Sequence, residues 1–178
     1  VGAKGTKKYV LKTAKATPTK TVKTEATAEA ITVDTGVLKF IVKKAGWNLF
    51  DQVWMGGRKV VEPGTAKVTL IATEGEYRVS GKMAKVAAES DVVKVTPVVK
   101  TLELEENGPV RAVVKVTGEF AKDNGKTLDF VARYYALAGS PSVRVAFTVV
   151  NRAGKKFESF IGMKELSFSV RTKGADEL

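Results

Sequence analysis

Three consecutive stretches of alternating apolar and polar residues constrain the fold more than any other feature of this sequence. In each stretch an apolar residue occupies every second position, so that one face of an extended chain is apolar and the other polar. This period is typical of β-strands that bury one face. The apolar positions are, in chain order, Val110, Ala112, Val114 and Val116; Leu128, Phe130, Ala132 and Tyr134; and Val143, Val145, Phe147 and Val149.

The connections between these stretches carry turn residues. Asp123-Asn124-Gly125 and Gly139-Ser140-Pro141 suit reversals, because Asn and Gly tolerate positive φ and Pro cannot extend a central ladder. Shorter β-rich runs with similar turns occupy the rest of the chain from Ile31 onward. The sequence therefore predicts an all-β fold, a two-layer antiparallel β-sandwich. Its expected core positions are Val114, Phe130, Tyr134, Val145 and Phe147.

The chain divides into three predicted segments: an extended basic arm or linker over residues 1–30, the sandwich over 31–172, and a polar tail over 173–178. The first 24 residues contain seven lysines and no acidic residue. With so little apolar surface, this arm would become ordered only against another surface. Tyr9, Val10 and Leu11 are its candidate anchoring residues.

Composition excludes several classes of function. The 178 residues include no Cys and no His, which removes thiol and imidazole mechanisms, so the sequence indicates no catalytic residue. The net charge of +11 suggests nucleic-acid binding, but the later lysines alternate along strands with Glu, Asp and Thr, and we predict no nucleic-acid partner. No apolar run is long enough for a membrane span.

The chain begins with Val and not with Met. We therefore expect a processed or partial product, from which an export signal has been removed or which belongs to a longer parent chain. The expected location is extracellular or at the cell surface.

Trp47, Phe50 and Trp54 form the densest aromatic cluster, and flat aromatic rings stack on sugars in carbohydrate-binding proteins. Phe50 and Trp54 share strand parity and are predicted to lie in the core. Trp47 falls on the other side, where it could be either buried or exposed. We take Trp47 as a candidate carbohydrate-binding residue.

Tyr134 and Tyr135 are adjacent, so their side chains should point to opposite sides of a strand. Arg133 and Arg144 lie nearby on the predicted neighbouring strands. A Tyr–Arg pair could perform β-elimination on a uronate, with Arg holding the carboxylate and Tyr transferring the proton. The alternative, which we favour, is a core Tyr beside surface charges, with Tyr135, Arg133 and Arg144 as candidate carbohydrate-binding residues.

An acidic segment offers the one candidate metal site. Glu103, Glu105 and Glu106, with Asp123 across a turn, could supply oxygen ligands to Ca²⁺. An acidic strand end without metal explains the same residues, so no cofactor is required.

Several short motifs together resemble the central β-sandwich of exo-rhamnogalacturonan-lyase-like proteins. They recur in the same order as in that polysaccharide lyase family and cover most of the chain. The matching segments are Ile31–Phe40, Asp51–Val53, Gly56-Gly57, Glu106–Ala112, Arg133–Ala136, Val143–Val145 and Met163–Phe168, while Lys8–Leu11 is similar to the end of the barrel-like domain that precedes the sandwich in that family.

The resemblance implies a domain without the catalytic part. In such lyases catalysis is expected in a helical toroid that follows the sandwich, and no helical pattern follows Val170 here. The expected function is that of a non-catalytic extracellular protein that binds acidic or neutral polysaccharide or has a structural role. The alternative is a filament subunit that binds copies of itself, with the N-terminal arm adding a strand to a neighbour.

Overall fold

The computed structural model describes residues 20–73, 92–121, 128–151 and 162–173. Within these ranges every regular element is a β-strand, which confirms the all-β prediction. The strands are β1 (Lys23–Ala26), β2 (Ala30–Asp34), β3 (Leu38–Lys43), β4 (Gln52–Met55), β5 (Arg58–Val61), β6 (Ala66–Thr73), β7 (Val92–Asn107), β8 (Arg111–Ala121), β9 (Leu128–Leu137), β10 (Val143–Asn151) and β11 (Gly162–Val170).

The strands form the two sheets of the predicted sandwich, and all pairs are antiparallel. The five-stranded sheet has the order β1-β2-β3-β4-β5, in which every neighbour is also a neighbour in the chain. The six-stranded sheet has the order β10-β9-β8-β7-β6-β11. Apolar side chains of the two inner faces pack between the sheets, and the outer faces carry the charged residues.

The predicted three-stranded centre is confirmed as β8, β9 and β10. Val114 pairs with Tyr134, which pairs in turn with Val145. Val114, Phe130 and Tyr134 are fully buried, and Val145 and Phe147 pack partly buried against them. The N-terminal end of the first alternating stretch, however, is not buried.

That difference concerns Val110, which is 57% exposed and precedes β8. The amide of Gly108 donates to the carbonyl of Arg111, so Val110 lies in the turn between β7 and β8. Val110 therefore continues the alternating sequence pattern of β8 but is not itself buried.

The sandwich also begins earlier than the sequence predicts. Lys23–Ala26, assigned above to the arm, form β1 and pair with β2, and Val22 before them is buried. An edge strand is held by main-chain hydrogen bonds to one neighbour and needs little apolar alternation, so the sequence pattern does not reveal it. Tyr9, Val10 and Leu11 lie outside the described residues.

Two of the three clustered aromatic residues differ in position from the prediction. Trp47 is only 2% exposed, and its indole stacks on Phe130 with ring centroids 4.8 Å apart. Trp54, predicted to be core, lies half-buried on the outer face of the five-stranded sheet, because its neighbour Val53 faces the core. Phe50 does contact the core, with its ring edge against Tyr134.

A buried hydrogen-bond chain joins the two sheets through Tyr134. The Nε1–H of Trp47 donates to Tyr134 Oη over 3.0 Å, and Tyr134 Oη donates to the carbonyl of Leu49 over 2.7 Å. Trp47 and Leu49 belong to the connection between β3 and β4, while Tyr134 belongs to β9. One hydroxyl therefore ties a connection of the first sheet to the centre of the second.

We predict that Tyr134→Phe lowers the free energy of unfolding by about 1–3 kcal/mol, because it leaves the indole N–H and the Leu49 carbonyl buried without a partner. Urea denaturation followed by circular dichroism measures this change. Tyr135→Phe is the matched control, since it removes the hydroxyl of the neighbouring, outward-facing residue and should leave stability almost unchanged. Equal effects of the two substitutions would contradict this account.

Candidate functional site

The outer face of the six-stranded sheet carries three of the four candidate carbohydrate-binding residues. Tyr135 lies on β9 directly opposite Arg144 of β10, and Arg133 lies two residues before it on the same face. Arg111 at the start of β8 contributes a further guanidinium near Tyr135. We call these four residues the Tyr135 face.

Arg144 and Tyr135 form the aromatic part of this face. The guanidinium carbon of Arg144 lies 5.8 Å from the centroid of the Tyr135 ring, which is a cation–π contact. Such a contact contributes about 0.5–1 kcal/mol at an exposed site and orients the planar guanidinium. Among the described residues Arg144 has no ion-pair partner, so its donors face solvent.

Arg133 and Arg111 are each occupied by a glutamate of β7. Arg133 donates to the two carboxylate oxygens of Glu105 over 2.7 and 3.0 Å. Arg111 binds Glu106 in the same forked geometry, with its shortest bond 2.6 Å long. These charge-assisted bonds fix the guanidinium planes and make the two arginines part of a neutralised network.

The network changes the pKa values of its members in the expected directions. Hydrogen bonds from Arg133 hold the pKa of the Glu105 carboxyl below its ordinary value, and those from Arg111 do the same for Glu106. A hydrogen bond to Glu103 raises the pKa of the Lys115 ammonium. At neutral pH Glu105, Glu106 and Lys115 are therefore ionised and paired.

The same pairing bears on the candidate calcium site. Glu103, Glu105 and Glu106 bind Lys115, Arg133 and Arg111 respectively, and Asp123 lies outside the described residues. In the described ranges no three acidic side chains lie close enough together to hold a metal ion. Their carboxylate oxygens accept hydrogen bonds from basic side chains instead.

The structure separates the residues of the Tyr–Arg pair considered for β-elimination. Tyr134 faces the core and Arg133 faces solvent, because successive residues of a strand alternate between faces. Burial raises the pKa of the Tyr134 phenol far above its ordinary range, although the bond from Trp47 opposes this shift. Tyr134 is therefore structural, and the tyrosine that meets an arginine on the surface is Tyr135.

Trp47 is excluded from the site by its burial, so the fourth predicted carbohydrate-binding residue is corrected to a core residue. The tryptophan that does lie on a surface was predicted to be a core residue. Trp54 stands on the outer face of the five-stranded sheet between Lys39 and Lys59. Val53 is the core residue of β4, and successive residues of a strand point to opposite faces, so Trp54 points outward.

By its fold the chain is a two-sheet antiparallel β-sandwich domain whose aromatic and charged groups meet on the outer faces. The family model of the PcRGLX-like protein central beta sandwich domain matches residues 22–177, and the chain belongs to this family. The predicted resemblance to the sandwich of rhamnogalacturonan-lyase-like proteins is thereby confirmed. The start of the match agrees with Val22, the first buried residue before β1.

A curated relative is much longer than this chain. The chain is 28% identical over 141 residues to the uncharacterized protein YetA of Bacillus subtilis (strain 168), a match that covers 78% of the chain and 16% of that protein. The sandwich thus corresponds to a small part of this relative. Among the residues that the structure describes, we find no helix long and apolar enough to cross a membrane.

We predict that Arg133→Met raises the pKa of the Glu105 carboxyl toward its ordinary value, whereas Arg144→Met leaves it unchanged. Carbon-detected NMR titration of the glutamate side chains measures both. Since the folded-state pKa is the lower one, the pair stabilises the fold above the ordinary carboxyl pKa, and this contribution disappears as the pH falls through the lowered value. An unchanged Glu105 titration in Arg133→Met would contradict the assignment.

Proposed function

We propose that this sandwich is a non-catalytic extracellular module that binds an acidic polysaccharide through the Tyr135 face. The observation that carries the proposal is the cation–π pair of Arg144 and Tyr135, in which an aromatic ring lies beside a guanidinium that has no carboxylate partner among the described residues. A sugar ring can pack on an aromatic surface, and a guanidinium binds a carboxylate with two parallel hydrogen bonds. A uronate carries both groups.

The remaining residues of the face support this choice of ligand. Arg133 and Arg111 are held by Glu105 and Glu106, so they form an ordered polar border and do not add free positive charge. A border of fixed donors and acceptors suits sugar hydroxyls, which both donate and accept hydrogen bonds. A neutral glycan would use this border alone and would gain nothing from Arg144.

The absence of catalysis is part of the proposal. Proton abstraction from a uronate needs a base that reaches the substrate, and the buried Tyr134 hydroxyl does not. Tyr135 is half-buried and lies on the outer face of the sheet. If the chain is part of a longer protein, as the length of its relative suggests, the module would hold polysaccharide for chemistry carried out elsewhere.

We predict that Tyr135→Ala and Arg144→Ala each weaken polysaccharide binding about two- to fivefold, the effect of losing an exposed stacking contact of about 0.5–1 kcal/mol. Affinity electrophoresis in gels containing polygalacturonate measures the change. Arg171→Ala removes an equal charge at an exposed position outside the face and is the matched control.

Gels with methyl-esterified polygalacturonate and with neutral galactan complete the design. The proposal expects retardation by the free acid only. Equal mobility of the unmodified protein in all gels, or equal losses in Arg144→Ala and Arg171→Ala, would contradict it.

A second candidate function, self-assembly through the N-terminal arm, has one observation in its favour. β1 begins at Lys23, inside the segment that the sequence predicts to be the arm, and forms one edge of the five-stranded sheet. An edge strand has a free row of main-chain donors and acceptors that a strand from another subunit can pair with. Head-to-tail addition of this kind does not close on itself and produces filaments.

The arm can be tested without disturbing β1. We predict for this function that deletion of residues 1–19 abolishes assembly, measured by sedimentation velocity and negative-stain microscopy at high concentration. A full-length variant with Tyr9, Val10 and Leu11 replaced by Ser retains the basic charge and should also fail to assemble. If the unmodified chain and both variants are monomeric, assembly is excluded under these conditions.

A further inference from the structure

The outer face of the five-stranded sheet contains a straight row of side chains that crosses all five strands. Direct cross-strand pairing places Lys23 beside Asp34, Asp34 beside Lys39, Lys39 beside Trp54 and Trp54 beside Lys59. Three cations, one carboxylate and one aromatic ring thus follow one line perpendicular to the strands. We call these five residues the Trp54 row.

We propose that the Trp54 row is a second binding site, which takes an extended segment of carboxylated polysaccharide. The site lies on the other sheet from the Tyr135 face and shares no residue with it. It therefore goes beyond the function proposed above and stands or fails separately.

The centre of the row is an aromatic ring between two cations. Lys39 Nζ lies 5.4 Å and Lys59 Nζ 5.3 Å from the centroid of the Trp54 ring. The half-buried indole offers an apolar surface to a sugar ring, and the two ammonium groups sit where carboxylates on adjoining sugars would approach. Neighbouring strands lie about 4.8 Å apart, so Lys39 and Lys59 stem from positions about 10 Å apart.

Both lysines are able to bind an added anion. Lys39 is exposed and, within the described part of the chain, has no carboxylate partner. Lys59 lies 3.5 Å from Glu62, but Glu62 also accepts a shorter bond of 2.7 Å from Lys173. Lys59 can therefore turn to a ligand while Glu62 stays paired with Lys173.

A groove of about 410 Å³ runs beside Trp54 and is bordered by Asp34, by Gly36 in the turn before β3 and by Gly56-Gly57 in the turn after β4. Gly56 and Gly57 have φ values of 56° and 82°, which favour glycine, and open space surrounds both. The turn thus carries no side chain that would block a polymer. The aliphatic part of Lys20 lies close to Gly36.

Asp34 favours a polysaccharide over a nucleic acid as the occupant. Its Oδ1 accepts a bond of 2.7 Å from the amide of Gly36, which fixes the carboxylate and leaves Oδ2 for a sugar hydroxyl. A fixed carboxylate between Lys23 and Lys39 would repel a continuous phosphate backbone. It does not oppose a chain whose carboxylates are separated by neutral hydroxyl-bearing positions.

The first test measures binding of oligogalacturonate by isothermal titration calorimetry. Lys39→Ala/Lys59→Ala should weaken binding about fivefold, whereas Lys44→Ala/Lys67→Ala, which removes the same charge elsewhere, should change it less than about twofold. Both double substitutions are also made in the Arg144→Ala variant, so that binding at the Tyr135 face does not mask the result. Equal weakening by both pairs would overturn the proposal.

The second test uses the difference in burial between the two tryptophans, since Trp54 is half-buried whereas Trp47 is 2% exposed. Iodide should quench the fluorescence of the unmodified protein more than that of Trp54→Phe. Oligogalacturonate should reduce this difference, because it protects Trp54 from iodide. The neutral methyl ester should not protect it. Lack of protection by oligogalacturonate, or stronger protection by single-stranded oligothymidylate, would overturn the proposal.

Discussion

The hydroxyl of Tyr134 is the interaction on which the arrangement of both outer faces depends. It accepts a hydrogen bond from the indole N–H of Trp47 and donates one to the carbonyl of Leu49. In this buried site an unpaired polar group would lower the stability of the fold. These bonds hold the β3–β4 connection against the middle of the six-stranded sheet. The connection in turn sets where β4 begins, and so which of its residues face the core.

Strand parity carries this constraint to the surface. With Tyr134 buried, Tyr135 must face outward on β9, where register places Arg144 beside it. With Val53 buried, Trp54 must face outward on β4, where register places a lysine on each side. Both aromatic surface groups are thus consequences of core packing one residue away, and neither depends on an enclosed cavity.

The sequence predicts most of the fold because apolar and polar residues alternate with period two wherever a strand buries one face. It predicts less of the site, for a physical reason that Trp47 illustrates. The residues around Trp47 do not form a strand, and Leu49 has a φ of 74°. Counting alternate positions back from Trp54 therefore does not predict which way the Trp47 side chain points. β1 was missed for a different reason, since main-chain pairing holds an edge strand whose side chains are mostly exposed. Tyr135, Arg133 and Arg144 lie on regular strands, so their position on the outer face follows from strand parity.

The two outer faces also differ in how their charges are compensated, which sequence counting does not show. On the six-stranded sheet the glutamates of β7 neutralise Lys115, Arg133 and Arg111, whereas Arg144 has no carboxylate partner among the residues that the structure describes. Across the Trp54 row the lysines outnumber the one carboxylate. The net charge of +11 is therefore unevenly distributed over the surface, and the attraction for an anionic polymer should be strongest where ammonium groups flank an aromatic ring.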